Sequence, residues 1–316
     1  MQIKTKYKVI FMGTPSIAKS CLKALLDNNT IEVVGVVTQP DKLVGRKKIL
    51  TFSPVKQLAI ENNLKIYQPH KLFELKDEIS LLKPDLIYTC AFGQFIPESI
   101  LNIPRFKCVN LHASLLPQLR GGAPIHYAII NRLKKTGLTL MYMIKQMDAG
   151  NIIKQFKISI DSNETYKSLY EKLSALAYDV TLNHMGLLFN DYLNTIKQDE
   201  SLVTFGYNIT RQQEKINWND TALNIDAKIR GLYDKPIAYT IHGDQEIKVH
   251  KASIIEKTNL SYKPGEIVQI SKDGILVSTK QDLILLEIIQ LPSKTPLDVK
   301  LIINGSHKFK INSFFN

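Results

Sequence analysis

The sequence predicts an α/β fold: a Rossmann-like, doubly wound, mostly parallel sheet, followed by a smaller β-barrel domain. In the first half of the chain, short apolar strands alternate with helices, which is the pattern of a parallel sheet covered by helices. In the last third, short strands follow one another between Gly and Pro residues, as in small all-β domains. A chain of 316 residues also exceeds the size of one ordinary core, so two domains are expected.

The strands and helices of the first domain alternate from the N-terminus onward. Pro54 and Pro124 support two of the helices, because proline is favoured in the first helical turn. A long amphipathic helix at 164–192 is expected to close this domain, which spans residues 1–193. Strands are predicted at residues 7–12, 32–38, 65–67, 85–89, 107–112 and 137–143, and helices at 16–28, 53–62, 70–82 and 125–131.

A change of pattern marks the second domain. Residues 194–208 are polar and irregular, as expected of a linker. Residues 209–316 then form the second domain, and periodicity alone leaves open whether it is a barrel or a sandwich. Its strands are predicted at 245–249, 265–270, 274–278 and 283–290.

Composition and cysteine usage exclude several classes of protein. Gly13 follows the first strand without the rest of a G-x-G-x-x-G pattern, which excludes an ordinary dinucleotide site. Cys21, Cys90 and Cys108 are odd in number and show no C-x-x-C spacing, so we expect reduced, buried thiols and no metal site. No apolar run reaches the roughly eighteen residues of a membrane helix, so a cytoplasmic location without membrane contact is expected.

An amide and an imidazole stand at the end of the predicted strand 107–112. Asn110 and His112 are two residues apart and therefore share one face of that strand, where a loop rich in Pro and Gly begins. Ligands of open α/β sheets bind outside the carboxyl ends of the strands, and this pair is suited to holding an oxyanion and moving a proton. The structural alternative is that Asn110 caps the turn and His112 is an ordinary loop-edge histidine.

A second loop adds a carboxylate. The strand predicted at 137–143 is followed by Asp148, Ala149 and Gly150, so that an Asn, a His and an Asp come from two adjacent loops. Such a trio makes a plausible acyl-transfer site. The alternative for Asp148 is a turn aspartate before Ala-Gly, which is common in hairpins.

Together these motifs resemble the 10-formyltetrahydrofolate-dependent formyltransferases. The central match is N-x-H-x-S-L-L-P-x-x-R-G, which runs from Asn110 to Gly121, followed by D-x-G at Asp148. Outlying matches resemble the branch of that family that formylates methionyl-tRNA: F-M-G-T-P at Phe11, V-T-Q-P-D at Val37, S-P-V-K at Ser53 and I-N-W at Ile216. The resemblance implies transfer of a formyl group from the folate to the amino group of initiator methionyl-tRNA, for translation initiation. It also implies an oligonucleotide-binding-like (OB-like) barrel as the second, tRNA-binding domain.

The resemblance further implies roles for individual residues. Asn110 and His112 would hydrogen-bond the oxyanion, and Asp148 would orient His112 and relay a proton. The family's folate-binding segment corresponds to Ser114, Leu115, Leu116 and Pro117, and Phe92 and Gly93 are expected to wall the same pocket.

A basic loop at residues 41–49 is the expected tRNA contact. The resemblance implies that it enters the acceptor stem, with Arg46 as the key arginine; its basic residues are Lys42, Arg46, Lys47 and Lys48. Residues 1–56 as a whole carry ten Lys and Arg against three Asp and Glu, within a net charge of +12 for the chain. A basic patch favours a phosphate-rich partner, although a solvated loop in a Lys-rich composition would look the same.

Two departures and two alternatives accompany this interpretation. The family's D-x-G-D ends in Asn151 here, and its N-P-W-P is replaced by Asp-Lys-Pro-Ile at 234–237, which leaves the tRNA contacts of the second domain open. One alternative is a sugar-nucleotide N-formyltransferase with the same folate donor, and another is a non-catalytic RNA-binding protein. The basic loop and the added β-domain favour tRNA, and the intact trio favours catalysis. A monomer is expected.

Overall fold

The computed structural model describes residues 6–44, 48–257, 261–305 and 307–316. The chain divides into two compact units. The first comprises Met1–Pro124, Lys135–Ser159 and Tyr170–Tyr207, and the second comprises Ile125–Lys134, Ile160–Leu169 and Asn208–Asn316. The division into a first domain at 1–193, a linker at 194–208 and a second domain at 209–316 stays a prediction.

A seven-stranded sheet organises the described part of the first unit. The strands of this unit are β1 (Tyr7–Gly13), β2 (Ile31–Val37), β3 (Lys42–Val44), β4 (Ile49–Thr51), β5 (Ile66–Tyr67), β6 (Leu86–Cys90), β7 (Cys108–His112), β8 (Lys135–Tyr142) and β9 (Ile152–Ser159). The order across the sheet is β5-β2-β1-β6-β7-β8-β9. The pairs from β5 to β7 are parallel, and β8 and β9 add an antiparallel edge. The predicted mostly parallel, Rossmann-like sheet is confirmed.

Helices follow most of the parallel strands. They are α1 (Ser16–Asp27), α2 (Pro54–Glu61), α3 (Lys76–Leu82), α4 (Glu98–Leu101), α5 (Pro124–Ile130) and α6 (Tyr166–His184). The Ser53 side chain accepts a hydrogen bond from the Lys56 amide and so caps α2, whose first residue is Pro54 as predicted. The central strand β1 is buried from Val9 onward, because helices and neighbouring strands leave neither face to water.

The basic segment at 41–49 differs from the predicted loop. Its two ends pair as an antiparallel hairpin, with Lys42 opposite Thr51 and Leu43 opposite Leu50. The physical reason is that each arm carries apolar and β-branched residues that favour strands, whereas the prediction considered only the charges. Leu43, Ile49 and Leu50 remain 57–63% exposed. Arg46 and Lys47 lie outside the described residues.

An antiparallel sheet forms the body of the second unit. Its strands are β10 (Ala238–His242), β11 (Gln245–Ile255), β12 (Ile267–Ser271), β13 (Gly274–Ser278), β14 (Leu283–Gln290) and β15 (Leu297–Asp298), and its helices include α7 (Arg211–Glu214), α8 (Ala222–Leu232) and α9 (Val299–Ile303). The order is β10-β11-β14-β13-β12, with β15 added to β14. The β13 and β14 ranges match the predicted ones, whereas β10 and α8 were not predicted.

The C-terminal residues join the two edges of this sheet. On one side, Phe315 and Ser313 exchange backbone hydrogen bonds with Gly265 and Ile267, next to and within β12. On the other side, the Ile241 amide of β10 donates to the Asn316 carbonyl, and the Asn316 amide donates back to Ile241. Since β10 and β12 are the edge strands, these bonds close the sheet, and the barrel that the resemblance implied is present rather than a sandwich.

The three cysteines are buried and free, as predicted. Burial raises the pKa of the Cys108 thiol, which therefore stays protonated and unreactive. Among the described residues, no His, Cys, Asp and Glu side chains group in a way that could hold a metal ion. In the same part of the chain, no helix has the length and apolar character needed to cross a membrane.

Candidate active site

The loops that follow β1, β2 and β6 meet at the carboxyl edge of the sheet. The Phe92 carbonyl, in the loop after β6, accepts hydrogen bonds from Thr14 Oγ1 at 3.0 Å and from Gln39 Nε2 at 3.2 Å. β7 pairs with β6 in parallel, so its own last residues reach this edge as well. Asn110 and His112 therefore lie at the carboxyl edge of the sheet, which is where α/β sheets bind ligands.

Asn110 is held with its amide in a defined orientation. Thr89 Oγ1, on the neighbouring strand β6, donates a hydrogen bond to Asn110 Oδ1 at 2.8 Å. The carbonyl end of the side chain is thereby occupied. Among the residues that the structure describes, no acceptor bonds its Nδ2, so this N–H group is available to a substrate oxygen.

His112 is buried between two loops. Its Nε2 lies 2.9 Å from the Leu119 carbonyl, and its Nδ1 lies 3.7 Å from Asp148 Oδ1. A carbonyl can only accept, so Nε2 carries the hydrogen in this pair and Nδ1 is the nitrogen that can gain or lose a proton. The ring is only 6% exposed, and its one free nitrogen faces a carboxylate. The structure thus brings His112 and Asp148 together, as their adjacent loops predicted.

Asp148 is fixed through both its side chain and its backbone. Asp148 Oδ2 accepts a hydrogen bond from the Gly121 amide at 2.9 Å. Its φ of 51° lies in the left-handed region, which is uncommon for a residue with a Cβ and is tolerated best by Asp and Asn. Two residues later, a Cβ on Gly150 would lie 1.9 Å from the Tyr142 carbonyl oxygen, so only glycine fits there.

A buried arginine network supports this loop, and it was not predicted. Arg120 is 1% exposed, and its Nε and Nη2 donate to Gln198 Oε1 at 3.0 and 2.9 Å. Gln198 Nε2 in turn donates to the carbonyls of Asp148 and Gly150, both at 2.8 Å. Glu200 completes the network by accepting from Arg120 at 2.8 Å. Arg120 was visible in the motif, but no sequence signal connects it to residues 198 and 200.

The segment predicted as a linker contributes these partners. Gln198 is 4% exposed, and the Arg120 amide and carbonyl bond to Thr204 and Gly206 at 2.9 and 2.8 Å. Tyr170–Tyr207, which includes nearly all of this segment, belongs to the first compact unit. The polar composition of 194–208 therefore reflects hydrogen-bonding side chains as well as exposure.

Two domain profiles match the chain. The formyl transferase profile matches residues 6–184, and the formyl transferase C-terminal domain profile matches residues 208–307. A methionyl-tRNA formyltransferase from Malacoplasma penetrans is 50% identical over 96% of this chain and 95% of its own length. Others, from Ureaplasma parvum and Bacillus cytotoxicus, are 46% and 47% identical over 96% and 86% of this chain, and over 99% and 87% of their own lengths. The chain belongs to the formyl transferase family, among the methionyl-tRNA formyltransferases.

Solved structures share the fold of this formyl transferase at lower identity. An N-formyltransferase from Helicobacter canadensis, in complex with folinic acid and dTDP-3-aminofucose, has a TM-score of 0.67 at 20% identity, over 89% of this chain and 98% of its own. HypX from Aquifex aeolicus has a TM-score of 0.64 at 14% identity, over 94% of this chain and 48% of its own. At these identities the likeness concerns the fold alone.

In this formyl transferase the Ser114–Pro117 segment is a rigid loop. Thr139 Oγ1 donates to the Ser114 carbonyl at 2.6 Å and accepts from the Leu116 amide at 3.2 Å. Gln155 Nε2 donates to the Leu116 carbonyl at 2.7 Å. Leu116 is 3% exposed, whereas Leu115 and Pro117 are half-buried. The surfaces that the loop can offer a ligand are therefore mainly those of Leu115 and Pro117.

The other described site residues that were predicted lie in the loop after β6 and on the β3–β4 hairpin. The Phe92 ring is 5% exposed and packs in the apolar core beside Ile96 and Ile100. Only the backbone of Phe92 and the exposed Gly93 can therefore form part of a pocket wall. Lys42 and Lys48 are exposed on the β3–β4 hairpin.

Proposed function

We propose that this formyl transferase moves the formyl group of 10-formyltetrahydrofolate to the free amino group of methionyl-initiator-tRNA, which gives N-formylmethionyl-tRNA for translation initiation. The observation that carries the proposal is the approach of His112 Nδ1 to Asp148 Oδ1, 3.7 Å, on the strand where Thr89 orients the Asn110 amide. Relatives that are 46% and 50% identical over nearly their whole length are methionyl-tRNA formyltransferases, which favours this acceptor over an amino sugar.

The reaction places a negative charge on the formyl oxygen. When the amine attacks the formyl carbon, the carbon becomes tetrahedral and its oxygen becomes an oxyanion. The Asn110 Nδ2 group, oriented by Thr89, donates a hydrogen bond to that oxyanion, and a cationic His112 stabilises it through its charge. Preorganised donors of this kind lower a barrier by several kcal/mol. The carbon–N10 bond of the folate then breaks.

Protons must move for the exchange to complete. The attacking amine becomes cationic and loses a proton, while the departing N10 of the folate gains one. Asp148, held by the Gly121 amide, stabilises the imidazolium form of His112 and relays the proton between the two nitrogens. Acid–base assistance of this type contributes roughly 10²–10⁴-fold. His112 Nε2 stays with the Leu119 carbonyl throughout, which keeps the ring in place.

The substrates divide between surfaces of the chain. The folate is held by the loop Ser114, Leu115, Leu116 and Pro117, through apolar contact at Leu115 and Pro117. Gly93, next to Phe92 in the chain, lines the same pocket. The basic segment 41–49, which carries Lys42, Arg46, Lys47 and Lys48, contacts the tRNA acceptor stem. Phosphate contacts position the tRNA, and the barrel of the second unit binds tRNA as well. The protein acts as a cytoplasmic monomer.

Transfer of a labelled formyl group tests the proposal directly. The purified chain is incubated with labelled 10-formyltetrahydrofolate and charged initiator methionyl-tRNA, and elongator methionyl-tRNA and a dTDP-amino sugar serve as competing acceptors. We expect label on the initiator tRNA, little on the elongator and none on the sugar nucleotide. Preferential labelling of the sugar nucleotide, or of no acceptor, would overturn the proposal.

A further inference from the structure

Two aromatic side chains stand exposed beside the active-site loop. Phe205 is 46% exposed and Tyr207 is 56% exposed. Their rings are stacked, with centroids 5.1 Å apart and planes 6° from parallel. Single exposed apolar side chains are ordinary on a protein surface, whereas two rings stacked side by side form a flat apolar face that suits a flat ligand.

The pair is bonded to the residues that hold Asp148. Gly206, which lies between the two rings in the chain, donates its amide to the Arg120 carbonyl at 2.8 Å and accepts from the Ala123 amide at 2.8 Å. Gly121, between those two partners, donates its own amide to the Asp148 carboxylate at 2.9 Å. Gly121 also lies so close to Gly206 that a Cβ there would be 2.8 Å from the Gly206 carbonyl oxygen.

These bonds place the two rings beside the backbone that holds Asp148, where the attacking amine is proposed to lose its proton. Resting on the proposed function, we infer that Phe205 and Tyr207 form a stacking platform for the terminal base of the tRNA, the adenine whose ribose carries the methionyl ester. Only one amino-acid residue and one ribose separate that base from the attacking amine. The bonds of Gly206 to Arg120 and Ala123, on either side of Gly121, therefore place the platform next to the residues that hold Asp148.

The chemistry of the surroundings favours a nucleotide as the occupant. Nucleic-acid bases stack on aromatic side chains without needing specific hydrogen bonds. Lys145 and Lys197 are exposed and lie within three residues of Asp148 and Gln198, respectively, where they can attract backbone phosphate. The platform would thus position the acceptor end, while Asn110, His112 and Asp148 act on the amine.

The test uses a fluorescent base in the full tRNA. Deacylated initiator tRNA carrying 2-aminopurine in place of its terminal adenine is titrated with the full-length protein, because stacking quenches this base. We expect quenching with the wild type and with Phe205→Tyr, and its loss with Phe205→Ala and Tyr207→Ala. Phe73→Ala, which removes a phenyl ring of similar exposure elsewhere (58%), is the matched control and should quench like the wild type.

Steady-state kinetics supply the second measurement. For Phe205→Ala the KM for methionyl-tRNA should rise about tenfold, as the loss of one stacked base predicts, while the KM for the folate stays unchanged. Binding without quenching by the wild type, or a Phe205→Ala protein that matches Phe73→Ala, would overturn the inference. So would a concentration-dependent dimer that Phe205→Ala abolishes, since the rings would then serve self-association. Absence of formyl transfer by the wild type would instead overturn the proposed function, because the quenching measurement needs no reaction.

Discussion

Gln198 holds the backbone of Asp148. The Gln198 Nε2 group donates to the Asp148 carbonyl and to the Gly150 carbonyl, both at 2.8 Å, and so spans the turn that presents the carboxylate. Arg120 donates twice to Gln198 Oε1, which fixes which end of the amide faces the turn. A residue fifty positions away in the chain therefore sets the position of the proposed catalytic aspartate.

Removal of this support should lower turnover more than substrate binding. Gln198→Ala leaves the Asp148 and Gly150 carbonyls and the Arg120 Nε group without this partner, and each unsatisfied group costs about 1–3 kcal/mol. We expect kcat to fall by about tenfold or more as Asp148 shifts, with the KM for folate nearly unchanged. Gln198→Glu should be impaired too, because it keeps the acceptor for Arg120 but loses both donors. Glu200→Ala is the control: its carboxylate is 62% exposed, so its loss should change kcat little. Equal kcat values for Gln198→Ala and Glu200→Ala would contradict the positioning role.

His112 and Asp148 should act as one unit in the reaction. Because the charged imidazole and the carboxylate are useful only together, His112→Ala and Asp148→Asn should each lower kcat by at least about 10²-fold. The double variant should be little worse than either single one, since groups that act together show strongly non-additive effects. Single-turnover rates with methionyl-tRNA measure this. Losses that multiply in the double variant would show that the two residues act separately.

The proposed catalytic residues follow from features that a sequence displays locally. The two-residue period of a strand places Asn110 and His112 on one face, and strand–helix alternation indicates the edge at which they emerge. Asp148 is predicted to lie at the same edge of the sheet, because it follows the next predicted strand in the chain. Each of these inferences needs only near neighbours in the chain.

The features that were missed depend on contacts between distant segments. The bonds from Gln198 to Asp148, and from Phe315 to Gly265 next to β12, join residues about fifty apart with no periodic signal, and only tertiary packing decides them. The β3–β4 hairpin was missed for another reason. Leu43 and Ile49 favour strands, but the prediction of a loop rested on the charged residues of this segment alone. Helix α8 was within reach, since Ile225, Ile229 and Leu232 have helical spacing.

Gly121 should be intolerant of a side chain. Its φ of 118° is accessible almost only to glycine, and a Cβ would lie 2.8 Å from the Gly206 carbonyl oxygen. Gly121→Ala should therefore lower the free energy of unfolding by more than about 1 kcal/mol and reduce kcat, because the Gly121 amide bonds Asp148. Gly186→Ala is the matched control, since no atom lies within 4 Å of its added Cβ. Urea unfolding and formylation assays of both variants check this, and equal stabilities would contradict the steric argument.

The hairpin lysines should attract tRNA through phosphate contacts. Lys42 and Lys48 are exposed on β3 and just before β4, and the double change to Ala should weaken binding of all tRNAs. The slope of log Kd against log salt should flatten by up to about one unit for each lost contact. Lys71 and Lys76, exposed elsewhere in the first unit, provide the control pair. Arg46→Ala should instead lower kcat/KM for initiator tRNA selectively, with folate binding unchanged. An unchanged salt slope in the Lys42/Lys48 variant would show that the hairpin does not contact phosphate.

The second unit should lose stability in mild acid. Burial lowers the pKa of His126, whose Nδ1 lies 2.8 Å from the Gly231 carbonyl and whose ring stacks on Tyr166 at 3.8 Å. Above a pH of about 6.5, the pKa of a histidine in the unfolded chain, the ring is neutral in both the folded and the unfolded state. Burial of the neutral ring then contributes fully to the free energy of unfolding. Below that pH the unfolded chain binds the proton first, so the free energy of unfolding falls as pH decreases toward the lower folded pKa. Urea unfolding at pH 7.5, 6.5 and 5.5 should show this fall, and His126→Phe, which keeps a stacked ring, should make it shallower. The exposed His70→Phe should leave the pH dependence unchanged. If His126→Phe and the wild type lose stability equally between pH 7.5 and 5.5, the buried imidazole is not the group that titrates.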